Sequence, residues 1–430
     1  MVLCLKAWES RTLPGLLIVE FVTSRLYHEM LLYYVMQIKP SKNFKSLVKL
    51  IKLILPPFIF SLIKFILLKL NLVGNVEVLS NKKFINWWHN FKNTPNLKHI
   101  DKDIISMLDN FIESNMFKNS SSYWKWLCKN HIEMIEEYGV ENFKLNIEKS
   151  AYWGEGNLDS EQIKQIIKNE ITINLDISEV FRQKNEPNRT AKETIHQNLS
   201  NIILLNYLVN NNYQKYLHLV EENEFGNPQY IKYENRRYSF GILNSILEIG
   251  FLDNNTNFNQ NINVLEIGAG SGRTCIALKG FYKVKKYVIV DIPPALFISE
   301  KNIKASFPEK KIFSFTNFID FKTVEQDFTN ADVCFISPDQ IKMMPNKFFD
   351  LSIAVDCLHE MSFSDVKIYF SEINRISSHF YLKAQITQSA KYGEHELNRD
   401  DYPIYKSWTK IADEECIFPN DYFQSIYKIM

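Results

Sequence analysis

The C-terminal part of this sequence predicts an α/β fold: a doubly wound, mostly parallel sheet, preceded by a helical N-terminal domain. Three observations carry the prediction. From residue 262 onward, short β-rich runs alternate with helical stretches. The first run ends in a glycine-rich loop that opens a helix. Between 77 and 235, apolar residues instead recur at helical spacing within a polar–apolar mixture.

Bulk properties bound the function. The 430 residues suggest two or three domains. Charges cancel, 50 Lys+Arg against 49 Asp+Glu for a net +1, which argues against a nucleic-acid partner, since such a binder carries a basic surplus. With 46% apolar and 23% charged residues, disorder and collagen are excluded. Six cysteines lie far apart without a C-x-x-C pair, so neither a disulfide framework nor a zinc site is expected, and a reducing compartment fits. Glu9 and Glu20 interrupt the N-terminal apolar stretch, so no signal peptide is read. A cytoplasmic location follows, with contact at the inner face of the plasma membrane as one option.

The segment 1–76 is basic and apolar. Residues 30–76 hold seven lysines and no acid. Lys45, Lys49 and Lys52 form a polar stripe at i, i+4, i+7 beside Leu47, Val48, Leu50 and Ile51. The charge-free stretch is 53–63, about half of the roughly 20 residues a membrane span needs, and Pro56-Pro57 breaks it. Residues 40–72 are read either as a segment lying on an anionic membrane or as a helical hairpin with snorkelling lysines.

The domain 77–235 shows Ile104, Ile105, Leu108, Phe111 and Ile112 at helical spacing, then Trp124, Leu127, Ile132 and Ile135. Asp101-Lys102-Asp103 has the D-x-D form of metal-dependent glycosyltransferases but lies between helix-like runs, where a solvated helix start explains it better. No metal site is expected.

The domain 236–430 contains the strand-like runs Val264–Ile267, Tyr287–Val290, Val333–Ile336, Leu351–Val355 and Phe380–Ala384. Asn263 to Thr274 reads N-V-L-E-I-G-A-G-S-G-R-T, with Gly268, Gly270 and Gly272 alternating between a strand and a helix. The chain has only 13 glycines, so chance would give G-x-G-x-G about 0.01 times, against a baseline glycine usage of about 7%. Glycine lets backbone approach a ligand closely. The dinucleotide fingerprint G-x-G-x-x-G fails, because its third position is Arg273. Instead the acid Glu266 precedes the loop. It suits a ligand with a cationic amino-acid portion, and S-adenosylmethionine carries an ammonium and a sulfonium. Asp291, 19 residues past Gly272 at a strand tip, is placed to accept both ribose hydroxyls.

After the third run, Asp339 or Gln340 is positioned to bond an adenine amino group, although a Pro- and Asp-rich turn explains them equally. After the fourth run come His359 and Glu360, at the carboxyl edge where open α/β sheets bind ligands. They are expected in a loop facing the cleft, able to deprotonate an acceptor hydroxyl; a surface pair that merely starts a helix is the alternative. Ser362 and Asp365 read as the cap of the following helix.

The Glu266–Gly272 loop with Asp291 resembles that of class I S-adenosylmethionine-dependent methyltransferases. More of the chain, from about 50 to 430, is similar to the sugar O-methyltransferases of bacterial surface-polysaccharide gene clusters. The shared features are Leu55-Pro56-Pro57, Tyr123-Trp124, Tyr138-Gly139, Asn142-Phe143-Lys144, Asp291-Ile292-Pro293, Glu360-Met361 with Tyr369-Phe370, and Tyr402-Pro403 with Trp408. The resemblance implies a Rossmann-like seven-stranded sheet, S-adenosyl-L-methionine as cofactor, a sugar or glycolipid-linked acceptor, and Glu266, Gly268, Gly270, Gly272 and Asp291 as cofactor ligands. His359-Glu360 also looks like the His-acid pair of plant small-molecule O-methyltransferases, where the His is the base. The rival expectations are a glycosyltransferase of the same pathway and a non-catalytic subunit that keeps the fold.

Overall fold

Local capping rules set the helical part. The computed structural model describes residues 79–144, 191–258, 261–387, 397–419 and 421–430; the basic segment 40–72 lies outside them. Helix α1 spans Asn81–Lys92, α2 Lys102–Glu113, α3 Asn115–Asn119 and α4 Ser122–Tyr138. Asp101 caps α2 by accepting from the N–H groups of Asp103 and Ile104 at 2.9 and 3.1 Å. Its carboxylate also lies 3.5 Å from Lys301, so the D-x-D sequence is a helix start. Helix α4 begins at the Ser121 cap and stops at Gly139, whose φ of 78° the α-helix cannot accommodate. Helices α5 (Ala191–Asn210) and α6 (Gln214–Leu217) follow. Strands β1 (Ile231–Tyr233) and β2 (Arg236–Tyr238) then form a hairpin turned by Glu234 and Asn235, both at positive φ as a type I′ turn requires.

Helix α7 (Phe240–Asn255) leads into the main sheet. Its strands are β3 (Ile262–Ile267), β4 (Val284–Val290), β5 (Ile312–Phe313), β6 (Val333–Ile336), β7 (Leu351–Val355), β8 (His379–Gln385), β9 (Thr409–Glu415) and β10 (Tyr422–Lys428). The connecting helices are α8 (Arg273–Phe281), α9 (Ala295–Ser306), α10 (Glu325–Asn330) and α11 (Phe363–Ile376). The spatial order is β5-β6-β4-β3-β7-β8-β10-β9. Pairing is parallel from β5 to β8 and antiparallel at β10 and β9. This is a Rossmann-like doubly wound sheet. It has one strand more than the seven expected, the two-residue edge β5.

Alternation along the strands splits the core between two faces. Val264, Tyr287, Ile289 and Ile353 pack with Leu243 and Ile246 of α7 and Cys275 of α8. Leu265, Ile267, Val288, Val290 and Ala354 pack with Val366, Tyr369, Phe370 and Ile373 of α11. A third cluster joins α1, α2 and α4 to Phe297 and Ile298 of α9. All five residues of β7 are buried, as expected for a parallel strand covered on both faces.

Candidate functional site

The site grows from the carboxyl ends of β3 and β4. β3 stops at Ile267, and Gly268, Gly270 and Gly272 all adopt positive φ (69°, 57° and 79°) before α8 begins. A Cβ on Gly268 would stand 2.4 Å from the Cβ of Cys357, so the loop lies against the end of β7 and only glycine fits. The Gly270 N–H donates to Oδ2 of Asp291 at 2.8 Å, while Oδ1 accepts from the Ile292 N–H at 2.7 Å. Asp291 is 3% exposed. Burial pushes its pKa up to about 7 despite the two N–H donors.

A cavity opens beside this loop. Gly268, Val290, Asp291 and Ile292 form its floor, and Met361, Ser362, Asp365 and Tyr369 one wall. Phe111, Met116, Ser120, Ser121 and Trp124 of the helical part close it. Trp124 Nε1–H donates to the carbonyl of Glu360 at 2.9 Å.

The predicted residues are partly brought together. Gly268 and Asp291 line the cavity, and Gly270 is bonded to Asp291. Gly272 is the N-cap of α8. Glu266 shares its strand face with Val264, away from Val290 and the cavity. Its carboxylate accepts from the Tyr287 hydroxyl at 2.8 Å and from Thr274, so it braces the start of α8. Burial raises its pKa to about 7. Asp339 does not line the cavity; it lies on the short turn Pro338–Met343, 3.9 Å from Lys342. Gln340 is committed to the protein, accepting from Ser337 N–H and donating to the Thr316 carbonyl.

His359 departs from the expected open loop. It lies in the tight turn Leu358–Glu360, is 2% exposed, and packs edge-on against Tyr422 at 5.5 Å between ring centroids. The turn buries its ring because Leu358 beside it enters the core. Nδ1 has no hydrogen-bond partner, and burial pushes the pKa down to about 4. Glu360 is half-buried.

Two groups escaped the sequence reading. One is a buried ionic cluster behind the loop. The Arg273 guanidinium donates to both carboxylate oxygens of Glu248 at 2.8 and 3.0 Å, and to Asp356 at 3.4 Å. Lys383 Nζ donates to Glu248 at 3.0 Å. Burial alone would raise the pKa of Glu248, but Arg273 and Lys383 hold it below its ordinary value. The available signal was a lone charge inside an apolar run, Glu248 in Ile246–Ile249 and Lys383 in β8. The other group is Asp365 with Tyr369, visible in sequence only as a helix cap and a core position.

No family model and no curated relative matches the chain. Solved structures do. The PH0226 protein from Pyrococcus horikoshii OT3 is 15% identical, over 43% of this chain and 88% of its own, at a TM-score of 0.30. A SAM dependent methyltransferase from Aquifex aeolicus is 13% identical, over 43% and 89%, at 0.28. The mitomycin 7-O-methyltransferase MmcR is 11% identical, over 44% and 56%, at 0.29. Each likeness spans less than half of the chain.

Proposed function

We propose that this chain is an S-adenosylmethionine-dependent O-methyltransferase acting on a hydroxyl of a sugar or glycolipid-linked acceptor. The observation that supports the cofactor is the left-handed glycine loop whose Gly270 N–H binds Asp291 at 2.8 Å beside an apolar cavity. The residues present fit an adenosyl group. Gly268 leaves the room a side chain would fill, Asp291 supplies acceptor oxygens at the tip of β4, and Ile292 and Tyr369 supply apolar surface. When bound, the cofactor supplies an electrophilic methyl group.

The chain's own residues do the remaining work. Asp291 orients the ribose hydroxyls. Trp124 and Phe111 exclude water from the cavity. Glu266 and the Arg273–Glu248 pair hold the loop in place. Alignment of acceptor oxygen with the methyl carbon then accounts for most of the acceleration. The resemblance assigns the hydroxyl proton to His359 or Glu360, although neither is among the residues that line the cavity.

The sugar acceptor rests on the sequence resemblance, and the division into a 77–235 acceptor-side domain and a 236–430 cofactor domain rests on the change from helical spacing to alternating strand-like and helical runs. Among the described residues no helix is long and apolar enough to cross a membrane; membrane contact through 40–72 belongs to this proposal.

Calorimetric titration with S-adenosylmethionine, S-adenosylhomocysteine, NAD and a UDP-sugar tests the reading. The first two should bind without added metal, and Asp291→Ala should weaken them by about 1.5–3 kcal/mol. Binding of NAD or the UDP-sugar instead would overturn it.

A further inference from the structure

The cavity carries a second carboxylate that the cofactor reading has not used. Asp365, at the start of α11, is 5% exposed and lines the cavity with Asp291 and Tyr369. Its Oδ2 accepts from the Ser362 hydroxyl at 2.7 Å, while Oδ1 is buried with no partner. A buried carboxylate oxygen left unbonded is costly, so a ligand with a matching donor recovers that cost. A pyranose would bring hydroxyls around its whole rim. Those facing Ile292, Val290 and Met361 would then be buried without partners. A flat heterocycle places its apolar faces there and a single donor edge toward Asp365.

We propose that Asp365, rather than Asp339, reads the exocyclic amino group of the adenine ring. This rests on the methyl-donor reading above. The two carboxylates then divide the nucleoside, Asp291 taking the diol and Asp365 the amino N–H. Burial raises the pKa of Asp365, while the Ser362 hydroxyl and Lys125 favour its ionised form. A carboxylate accepts but does not donate, so a 6-oxo purine, with an acceptor in place of the amino group, is repelled.

The test compares S-adenosylhomocysteine with S-inosylhomocysteine by calorimetry on the full chain. Wild type should prefer the adenine form by tenfold or more. Asp365→Asn keeps the side-chain shape and adds an N–H donor, so it should bring the two within about threefold, with thermal melting confirming that the variant folds. Equal wild-type affinity for both ligands overturns the assignment without any variant. It is also overturned if Asp365→Asn keeps the full preference, or if Asp339→Asn is the change that erases it. If wild type binds neither ligand, the methyl-donor reading fails and this assignment with it. Binding of the adenine form without discrimination removes only the role of Asp365.

Discussion

Trp124 and Glu360 stand 236 positions apart in sequence, yet the indole N–H of one donates to the main-chain carbonyl of the other at 2.9 Å. The bond joins α4 to the turn that carries His359. It fixes the helical roof of the cavity to the end of β7. The turn that holds the proposed base and the cover of the cavity are therefore joined by a hydrogen bond.

Trp124→Phe keeps the ring and removes the donor. It should cost about 1 kcal/mol, the typical worth of one such bond, read as a lowered denaturant midpoint. Turnover should fall more than the affinity for S-adenosylhomocysteine. A variant with wild-type stability and turnover would show that the roof is held by other contacts.

Gly268→Ala places a methyl 2.4 Å from the Cβ of Cys357 and 2.8 Å from its Sγ, at a φ of 69°. Strain of this kind costs about 1–3 kcal/mol. Affinity for S-adenosylhomocysteine should drop at least tenfold while circular dichroism stays native. Retained affinity would place the ligand away from this loop.

Glu248→Gln replaces the carboxylate shared by the buried cations Arg273 and Lys383 with a neutral amide, leaving Asp356, 3.4 Å from Arg273, as the remaining counter-charge. Breaking a buried ionic group from one side costs about 3–5 kcal/mol. A matched change that removes charge from both sides, Glu248→Gln with Arg273→Met, should recover part of the loss. Additive losses in urea melts would argue that the pair is not coupled.

His359 gives a pH signature. Its pKa is about 4 in the fold against 6.5 ordinarily, so between those values the unfolded chain binds more protons. Stability contributed by the neutral ring is therefore present above about pH 6.5 and is withdrawn as pH falls toward 4. The loss from pH 7 to 5 should shrink by about 2 kcal/mol in His359→Gln. The same variant should lose about 10²–10⁴ in turnover while binding S-adenosylmethionine normally. Parallel stability curves would contradict the burial of the ring. Wild-type turnover with Glu360→Gln inactive would make Glu360 the base.

The lysine-rich segment 40–72 should bring the full chain to vesicles containing phosphatidylglycerol and not to neutral ones, with attraction fading as salt rises. Equal absence from both floated fractions would mean that the segment packs within the protein.

The sequence disclosed those parts whose signal is local. Strands β3, β4, β6, β7 and β8 were legible as apolar runs, three of them two or three residues longer in the structure. The glycine loop and Asp291 were legible because strand, turn and acid follow one another within 30 positions. The ionic cluster was not. Its members at 248, 273, 356 and 383 meet only once the sheet order puts β3 beside β7 and β7 beside β8. Asp356 adopts a φ of 56° without being glycine, which no local pattern announces. Strand β9 was hidden as well, since it is mostly exposed and charged, the pattern of a protected edge.

The place of β10 has a consequence for how the chain is made. β10 lies between β8 and β9, pairing with both along nearly its full length, although it follows β9 in sequence. During synthesis from the N-terminus, β8 presents an open row of N–H and C=O groups until residues 422–428 emerge. An open strand edge is a template for wrong partners. A chain stalled before that point would carry the rest of the sheet with one adhesive side, and quality control would meet it as an aggregation nucleus.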